Sequence, residues 1–124
     1  MNNFSKKISV CLASYNGALY IKEQIHSILS QLKDGDELII SDDSSTDNTV
    51  DIISQINDKR ITILHHESVI NLPTCQKVTS NFENALFAAS GDVIFLSDQD
   101  DVWLDGKIDT MCSYLEKYYY VTSD

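Results

Sequence analysis

The stretch "KISVCLASYNG", residues 7–17, decides the fold class because it joins a buried strand directly to a helix. Residues 7–14 are almost continuously apolar, which is typical of a strand that is covered on both faces of a parallel sheet. The break at Asn16 and Gly17 is followed by apolar residues that recur at intervals of three and four up to Leu32. This spacing predicts a helix rather than a returning hairpin strand, and therefore an α/β protein.

The rest of the chain repeats this alternation. We predict further strands at residues 36–43, 61–66 and 92–97, and further helices at residues 44–56, 75–90 and 107–118. Ser45 or Thr46 is expected to cap the second helix, whereas Gly35 and Gly91 are expected to end the helices before them. The apolar stripe of the third helix comprises Val78, Phe82, Ala85, Leu86 and Ala89. This order predicts one mainly parallel sheet with helices on both faces, joined by right-handed crossovers.

Composition narrows the classes of ligand. The chain has 124 residues, of which 43% are hydrophobic, so it can bury the core of one domain. It carries 9 basic and 19 acidic residues, a net charge of -10. This balance argues against non-specific nucleic-acid binding and against docking on an anionic membrane. An anionic ligand would need a metal ion or backbone amides to hold it.

The three cysteines, Cys11, Cys75 and Cys112, form no CxxC pair. We interpret them as reduced structural thiols, which is typical of a cytosolic protein. The apolar run after Lys7 is too short for a signal peptide, and no window approaches the ~18 apolar residues of a membrane span. We therefore expect a cytoplasmic location, with peripheral membrane association of a full-length protein left open.

Polar residues follow three of the predicted strands at the point where each strand ends. They form a first turn (residues 14–17), a second turn (residues 42–45) and an acidic turn (residues 98–101). Because the carboxyl ends of parallel strands face one crevice, all three turns are expected to meet there. Carboxylates at Asp42 or Asp43 could accept hydrogen bonds from a pyrimidine or a ribose, and those of the acidic turn suit Mg²⁺ or Mn²⁺. A capped helix start and a solvated acidic turn are the simpler alternatives.

Three motifs in this order carry a resemblance to a known family: "ISVCLASYNG", "ELIISDDSSTDNT" and "GDVIFLSDQDDVWL". They resemble the N-terminal half of inverting family 2 glycosyltransferases of the GT-A fold. The variant "SDQDDVW" is most similar to rhamnosyltransferase-like members that build bacterial surface polysaccharides. The resemblance implies a single nucleotide-sugar-binding domain, residues 1–124, at the N-terminus of a longer enzyme. It implies transfer of a sugar from a UDP- or dTDP-sugar to a saccharide or lipid-linked acceptor hydroxyl, with inversion.

The resemblance also implies which residues contact the donor. Tyr15 would lie near the base, and Asp42 would accept a hydrogen bond from N3–H of uracil or thymine. Asp98 would contact the ribose or the water shell of the metal, and Asp100 would ligate Mn²⁺ or Mg²⁺ against the diphosphate. The expected substrate-binding set is Ala13, Tyr15, Asn16, Asp42, Asp43, Ser44, Asp98 and Gln99, and the expected metal ligands are Asp98 and Asp100.

Several nearby residues have less defined roles. Asp101 would cap the following turn or add to the metal shell, and Trp103 would pack in the core or form a wall of the donor pocket, with packing favoured. Asn71 and Asn81 fall in the base-side region of the family. Many members carry an arginine there, whereas this chain has Lys77.

No catalytic residue is assigned. The resemblance implies that the general base lies beyond Asp124, so residues 1–124 alone are expected to be inactive. The alternatives are a nucleotide-binding module without catalysis and a receiver-type phosphoacceptor domain. A receiver domain is disfavoured because it needs an acidic pair after the first strand and a lone aspartate after the third, where His65 and His66 stand. These histidines are adjacent on a strand and therefore point to opposite faces, so they should not share one metal ion.

Overall fold

The computed structural model describes residues 6–68, 71–98, 103, 106–108 and 110, with Asp98 described for its backbone only. This part of the chain contains four strands and three helices in strict alternation. The strands pair in parallel in the order β3-β2-β1-β4. The elements are β1 Ile8–Ser14, α1 Ile21–Leu29, β2 Glu37–Asp43, α2 Thr49–Gln55, β3 Ile61–His66, α3 Thr74–Ala88 and β4 Val93–Asp98. The predicted α/β fold class is confirmed.

The two faces of the sheet are covered by different helices. Alternate side chains of a strand point to opposite faces, so Val10 and Leu12 of β1 face α1 and α2, whereas Cys11 faces α3. We call these sides the α1 face and the α3 face. The α1 face holds the larger core, to which α1 contributes Ile21, Ile25, Ile28 and Leu29. Each such side chain, when fully buried, stabilises the fold by about 1.5–3 kcal/mol.

Two predicted glycine stops are wrong. Helix α1 ends at Leu29, because Arg60 Nη1 donates hydrogen bonds to the carbonyls of Leu29 and Leu32 and so satisfies that end of the helix. Gly35 lies in the turn before β2, with a φ of 92°. Helix α3 ends at Ala88, before Gly91. Gly91 is required for another reason, since a Cβ there would lie 2.5 Å from Ser9 Oγ.

The predicted start of the second helix is also wrong. Helix α2 begins at Thr49, and Asn48 precedes it without a side-chain capping hydrogen bond. Instead of capping the helix, Ser45 hydrogen-bonds to Asp42 at the end of β2, and Thr46 hydrogen-bonds to Asn16 after β1. Because these groups are used in tertiary contacts, residues 44–48 form a loop.

Helix α3 buries a stripe that differs from the predicted one. Ala85 is buried, with Leu86 and Ala89 packed beside it, but Val78 is exposed. The buried position on the preceding turn is Asn81. Its amide is tolerated there because it hydrogen-bonds to β1 and β2.

Of the two described cysteines, Cys11 has the buried position expected of a structural thiol and Cys75 does not. Cys11 is buried and Cys75 is exposed, and both are free thiols. Burial, with a smaller contribution from the charge of Glu37, raises the pKa of Cys11 to about 11. Cys112 lies outside the described residues, as does most of the predicted helix at 107–118. The described helices are too short or too polar to cross a lipid bilayer.

Candidate functional site

The carboxyl end of β1 lies between those of β2 and β4. Ser14 is paired with Asp42, and Ala13 is paired with both Ser41 and Asp98. The first turn therefore lies between the second turn and the start of the acidic turn, as the sequence predicts. Ligands of open parallel sheets bind at this kind of edge.

Asp42 is only 1% exposed, and both of its carboxylate oxygens accept hydrogen bonds from residues of the first or second turn. Oδ1 accepts hydrogen bonds from Ser14 Oγ at 2.7 Å and from Ser45 Oγ at 2.6 Å. Oδ2 accepts one from the Ser45 amide at 2.9 Å. The carboxylate thus joins the first and second turns, and a nucleobase would reach it only after Ser45 moves aside.

Asn16 holds the loop of residues 44–48 against the end of β1. Its Oδ1 accepts hydrogen bonds from the amides of Thr46 at 2.8 Å and Asp47 at 3.4 Å, and its own amide donates to Ser45 Oγ at 2.9 Å. Its φ is 49°, a left-handed conformation that asparagine tolerates better than most residues. Beside it, Tyr15 is 52% exposed. The Asn-Gly pair after a strand was the available signal, but it does not reveal which amides the side chain binds.

Further hydrogen bonds join the two residues after Asn16 to the start of α2 and the residue pair before it. Gly17 N donates to Thr49 Oγ1 at 2.8 Å, and Ala18 N donates to Asp47 Oδ2 at 3.2 Å. Hydrogen bonds from the Thr49 hydroxyl, and then from the amides of Thr49 and Ala18, outweigh desolvation and lower the pKa of Asp47. Asp47 therefore stays ionised and links the start of α2 to the segment that leads into α1.

Asp43 joins the second turn to the end of β3. Its two carboxylate oxygens accept hydrogen bonds from the amide of Ser68 at 2.9 Å and from its hydroxyl at 2.8 Å. Ser44, with a φ of 53°, donates from Oγ to the carbonyl of His66 at 2.9 Å. The ring of His66 lies 3.0 Å from Ser80 Oγ, whereas His65 is exposed on the strand beside it. Two histidines on opposite faces do not form a metal pair, as predicted.

Asn81 supports the first turn from the α3 face. Its Oδ1 accepts from Ser41 Oγ at 2.6 Å, and its Nδ2 donates to the carbonyl of Ser14 at 3.3 Å. Asn84 donates to the same Ser41 hydroxyl at 2.9 Å. Of the other predicted base-side residues, Asn71 is exposed and Lys77 is half-buried.

Of the acidic turn, only the backbone of Asp98 is described. Gln99, Asp100 and Asp101 lie outside the described residues, and for Asp98 only the position of its backbone at the end of β4 is described. Among the residues that the structure does describe, no three His, Cys, Asp or Glu side chains are grouped so that they could hold a metal ion. The proposed ligand pair Asp98 and Asp100 therefore stays a prediction.

Trp103, just after the acidic turn, packs in the core, which was the favoured interpretation. It is 4% exposed, and its ring centroid lies 5.8 Å from that of Phe95. Lys107 Nζ lies 4.7 Å from the ring centroid. The buried indole N–H has no hydrogen-bond partner among the described residues, so ring packing and the cation hold this side chain in place.

The model of the glycosyl transferase family 2 domain matches residues 9–123, almost the whole chain. The chain belongs to glycosyltransferase family 2. Its parallel sheet, with polar turns at the carboxyl ends of the strands, is that of the GT-A fold. The resemblance carried by the three motifs is thereby confirmed at the level of family and fold.

Relatives of this glycosyltransferase chain include two curated bacterial enzymes. The dTDP-rhamnosyl transferase RfbG of Shigella flexneri is 40% identical over 105 residues, which cover 78% of this chain and 34% of RfbG. The UDP-Glc:alpha-D-GlcNAc-diphosphoundecaprenol beta-1,3-glucosyltransferase WfaP of Escherichia coli is 34% identical over 125 residues, which cover 94% of this chain and 47% of WfaP. The chain thus spans less than half the length of these relatives.

A solved structure gives a third comparison. Glucosyl-3-phosphoglycerate synthase from Mycobacterium tuberculosis, in complex with Mn²⁺, UDP and glucosyl-3-phosphoglycerate, matches with a TM-score of 0.56 at 31% identity. The match covers 77% of this chain and 34% of that one.

Proposed function

We propose that the whole protein transfers a sugar from a UDP- or dTDP-sugar to a hydroxyl group of a saccharide or lipid-linked acceptor, with inversion, in the synthesis of bacterial cell-surface polysaccharide. The observation that carries this proposal is the pairing of Ser14 with Asp42 and of Ala13 with Asp98, which brings three polar turns to one edge of the sheet. Two relatives are named for such donors, and the name of WfaP includes a lipid-linked diphosphate acceptor.

The first and second turns are proposed to bind the nucleoside. Tyr15 is exposed at this edge and can stack on a base, and Ala13 and Asn16 are proposed to contact the nucleoside beside it. Asp42 would accept the N3–H of the pyrimidine through Oδ2 after Ser45 moves aside, since a carboxylate oxygen can accept this donor. Asp43 and Ser44 complete the base-side set.

The acidic turn is proposed to hold Mn²⁺ or Mg²⁺ through Asp98 and Asp100, with Gln99 beside the donor. Carboxylate oxygens are the ligands that these hard cations prefer, so the donor set fits. The solved relative from M. tuberculosis contains Mn²⁺ together with UDP. When bound, such an ion stabilises the negative charge of the leaving diphosphate. Asp101 receives no role.

The protein's own residues would orient the donor, and residues 1–124 are proposed to be the nucleotide-sugar-binding domain of the transferase. The general base and most of the acceptor site are proposed to lie outside this segment. We propose a cytoplasmic location, with which the free thiols of Cys11 and Cys75 agree.

Calorimetry on the full-length protein tests the donor and metal assignments together. UDP or dTDP should bind at least about tenfold more tightly with Mn²⁺ than in EDTA, a difference of about 1.4 kcal/mol. Asp100→Asn should remove most of this gain. Asp34→Asn makes the same charge change at an exposed position before β2 and should keep it.

Equal affinity with Mn²⁺ and in EDTA would exclude the metal assignment. No affinity for UDP or dTDP under either condition would exclude the donor class. Nucleotide binding without sugar transfer by the full-length protein would favour a binding module without catalysis.

A further inference from the structure

We propose that α1 and the residue pair after it position the acidic turn, through three polar side chains, Gln24, Ser27 and Gln31. This inference rests on the proposed function, because its consequence is the affinity of the acidic turn for the metal–nucleotide complex. None of the three residues is expected to touch the donor, so each is a positioning residue.

The three side chains form one polar stripe. They are spaced by three and four residues and therefore lie on the same side of the helix and its C-terminal extension. Next to this stripe, α1 packs Ile21, Ile25 and Ile28 in the core. Gln24 is fully buried, and burying an amide is costly unless its hydrogen bonds are made. The full burial of Gln24 and the partial burial of Ser27 and Gln31 therefore indicate specific partners.

Those partners lie on both sides of the acidic turn. Gln24 Nε2 donates to Ser97 Oγ at 3.1 Å, one residue before Asp98. Ser27 Oγ accepts from the Trp103 amide at 2.9 Å, two residues after Asp101. Ser97 and Trp103, the described residues on either side of the acidic turn, are thus hydrogen-bonded to residues of α1 that are about one helical turn apart.

The third contact extends this attachment along the chain. Gln31 Oε1 accepts from the Ile108 amide at 3.0 Å, and the buried rings of Trp103 and Phe95 pack against each other. The segment that follows the acidic turn is therefore held at two backbone amides rather than by side-chain packing alone.

The same helix is also joined to the first turn. The amides of Tyr20 and Ile21 both donate to the carbonyl of Gly17, at 3.0 and 2.9 Å. One rigid element therefore connects the proposed base-side turn with the proposed metal-side turn. Holding Ser97 and Trp103 on either side of the acidic turn should reduce the conformational freedom that the turn loses when a cation and a diphosphate bind.

Ser27→Ala in the full-length protein tests the inference, with UDP titrated in Mn²⁺ and in EDTA. The Mn²⁺-dependent gain in UDP affinity should be about fivefold smaller in the variant than in the wild type, as expected for the loss of one hydrogen bond. The UDP affinity of the variant in EDTA should stay within about twofold of the wild-type value. Ser27→Thr retains the hydroxyl acceptor and should restore the gain.

Ser30→Ala is the matched control. Ser30 and Ser27 each donate a hydrogen bond to the carbonyl three residues earlier, but Ser30 is exposed and has no contact with β4 or Trp103 among the described contacts. This control therefore removes the same local helix contact without touching the acidic turn, and its Mn²⁺-dependent gain should be unchanged.

Gln31→Ala, paired with Gln31→Glu, keeps the test decisive if Ser27→Ala does not fold. The glutamate retains the Oε1 acceptor for the Ile108 amide and should bind as the wild type does. An unchanged Mn²⁺-dependent gain in the alanine variants would overturn the inference, as would an equal loss of affinity in EDTA. Absence of the gain in the wild type would instead contradict the metal assignment on which the inference rests.

Discussion

The α1 face and the α3 face of the sheet differ in how they are covered. The α1 face carries a continuous apolar core, whereas the buried cluster on the α3 face comprises, among the described residues, Cys11, Ile39 and Ala85. On the α3 face of β4, Ile94 is 44% exposed and Leu96 is 55% exposed. Asn81 and Asn84 bind Ser41 on this same face. The difference indicates that the α1 face supplies most of the stability, while the α3 face supports the turns at the strand ends through polar contacts.

The largest expected effect is the difference in stability between a leucine-to-alanine substitution on the α1 face and one on the α3 face. Leu12→Ala removes a fully buried side chain from the α1 face and should lower the free energy of unfolding by about 2–5 kcal/mol. Leu96→Ala changes a half-exposed residue of β4 and should lower it by less than about 0.5 kcal/mol. Urea unfolding of both variants measures the difference. A comparable loss at Leu96 would show that its side chain is covered in the protein in solution.

A smaller effect is expected on the polar contacts of α3. Asn81→Ala removes the bonds to Ser41 and Ser14 and leaves their polar groups buried, so it should lower the free energy of unfolding by about 1–3 kcal/mol. Asn84→Ala removes one half-buried bond and should cost about 1 kcal/mol or less. Equal unfolding midpoints in urea for the two variants would contradict the supporting role of Asn81.

The smallest effect concerns the charged contact at the amino-terminal edge of the α1 face. Hydrogen bonds from the Arg60 side chain and amide lower the pKa of Asp58 from 3.8 to about 2. Because the folded-state pKa is depressed, this contact stabilises the protein above pH 3.8 and loses its effect as the pH falls toward 2. The wild type should therefore lose more stability across this range than Asp58→Asn, in urea titrations at each pH.

Asp51→Asn serves as the control for the acid titration, since it makes the same charge change at an exposed position on α2. Its stability should fall with pH as steeply as that of the wild type. If Asp58→Asn also follows the wild type, the contact between Asp58 and Arg60 contributes nothing to the attachment of α1 at Leu29 and Leu32.

The predictions from sequence succeeded where the signal is local. The apolar run of β1 and the three-and-four spacing after Asn16 lie within one segment, so they identified the strand and the helix. The predictions at Gly35 and Gly91 were wrong because they also relied on local sequence alone. In the structure, Arg60 ends α1 and the backbone conformation after Ala88 ends α3. The convergence of the turns was expected from the rule that parallel strands present their carboxyl ends together, whereas the strand order came only from the structure.

The sequence by itself determined the alternation of strands and helices, the family, and the placement of Asp42 and Asp43 at the end of β2. Only the tertiary structure decided that Asp42 is buried between Ser14 and Ser45 and that Asn81 binds the first turn. It alone also decided that polar side chains of α1 bind Ser97 and Trp103, on either side of the acidic turn. The physical reason is distance along the chain. Apart from that between Asp42 and Ser45, these contacts join residues 28 to 76 positions apart, and no local periodicity specifies which groups meet.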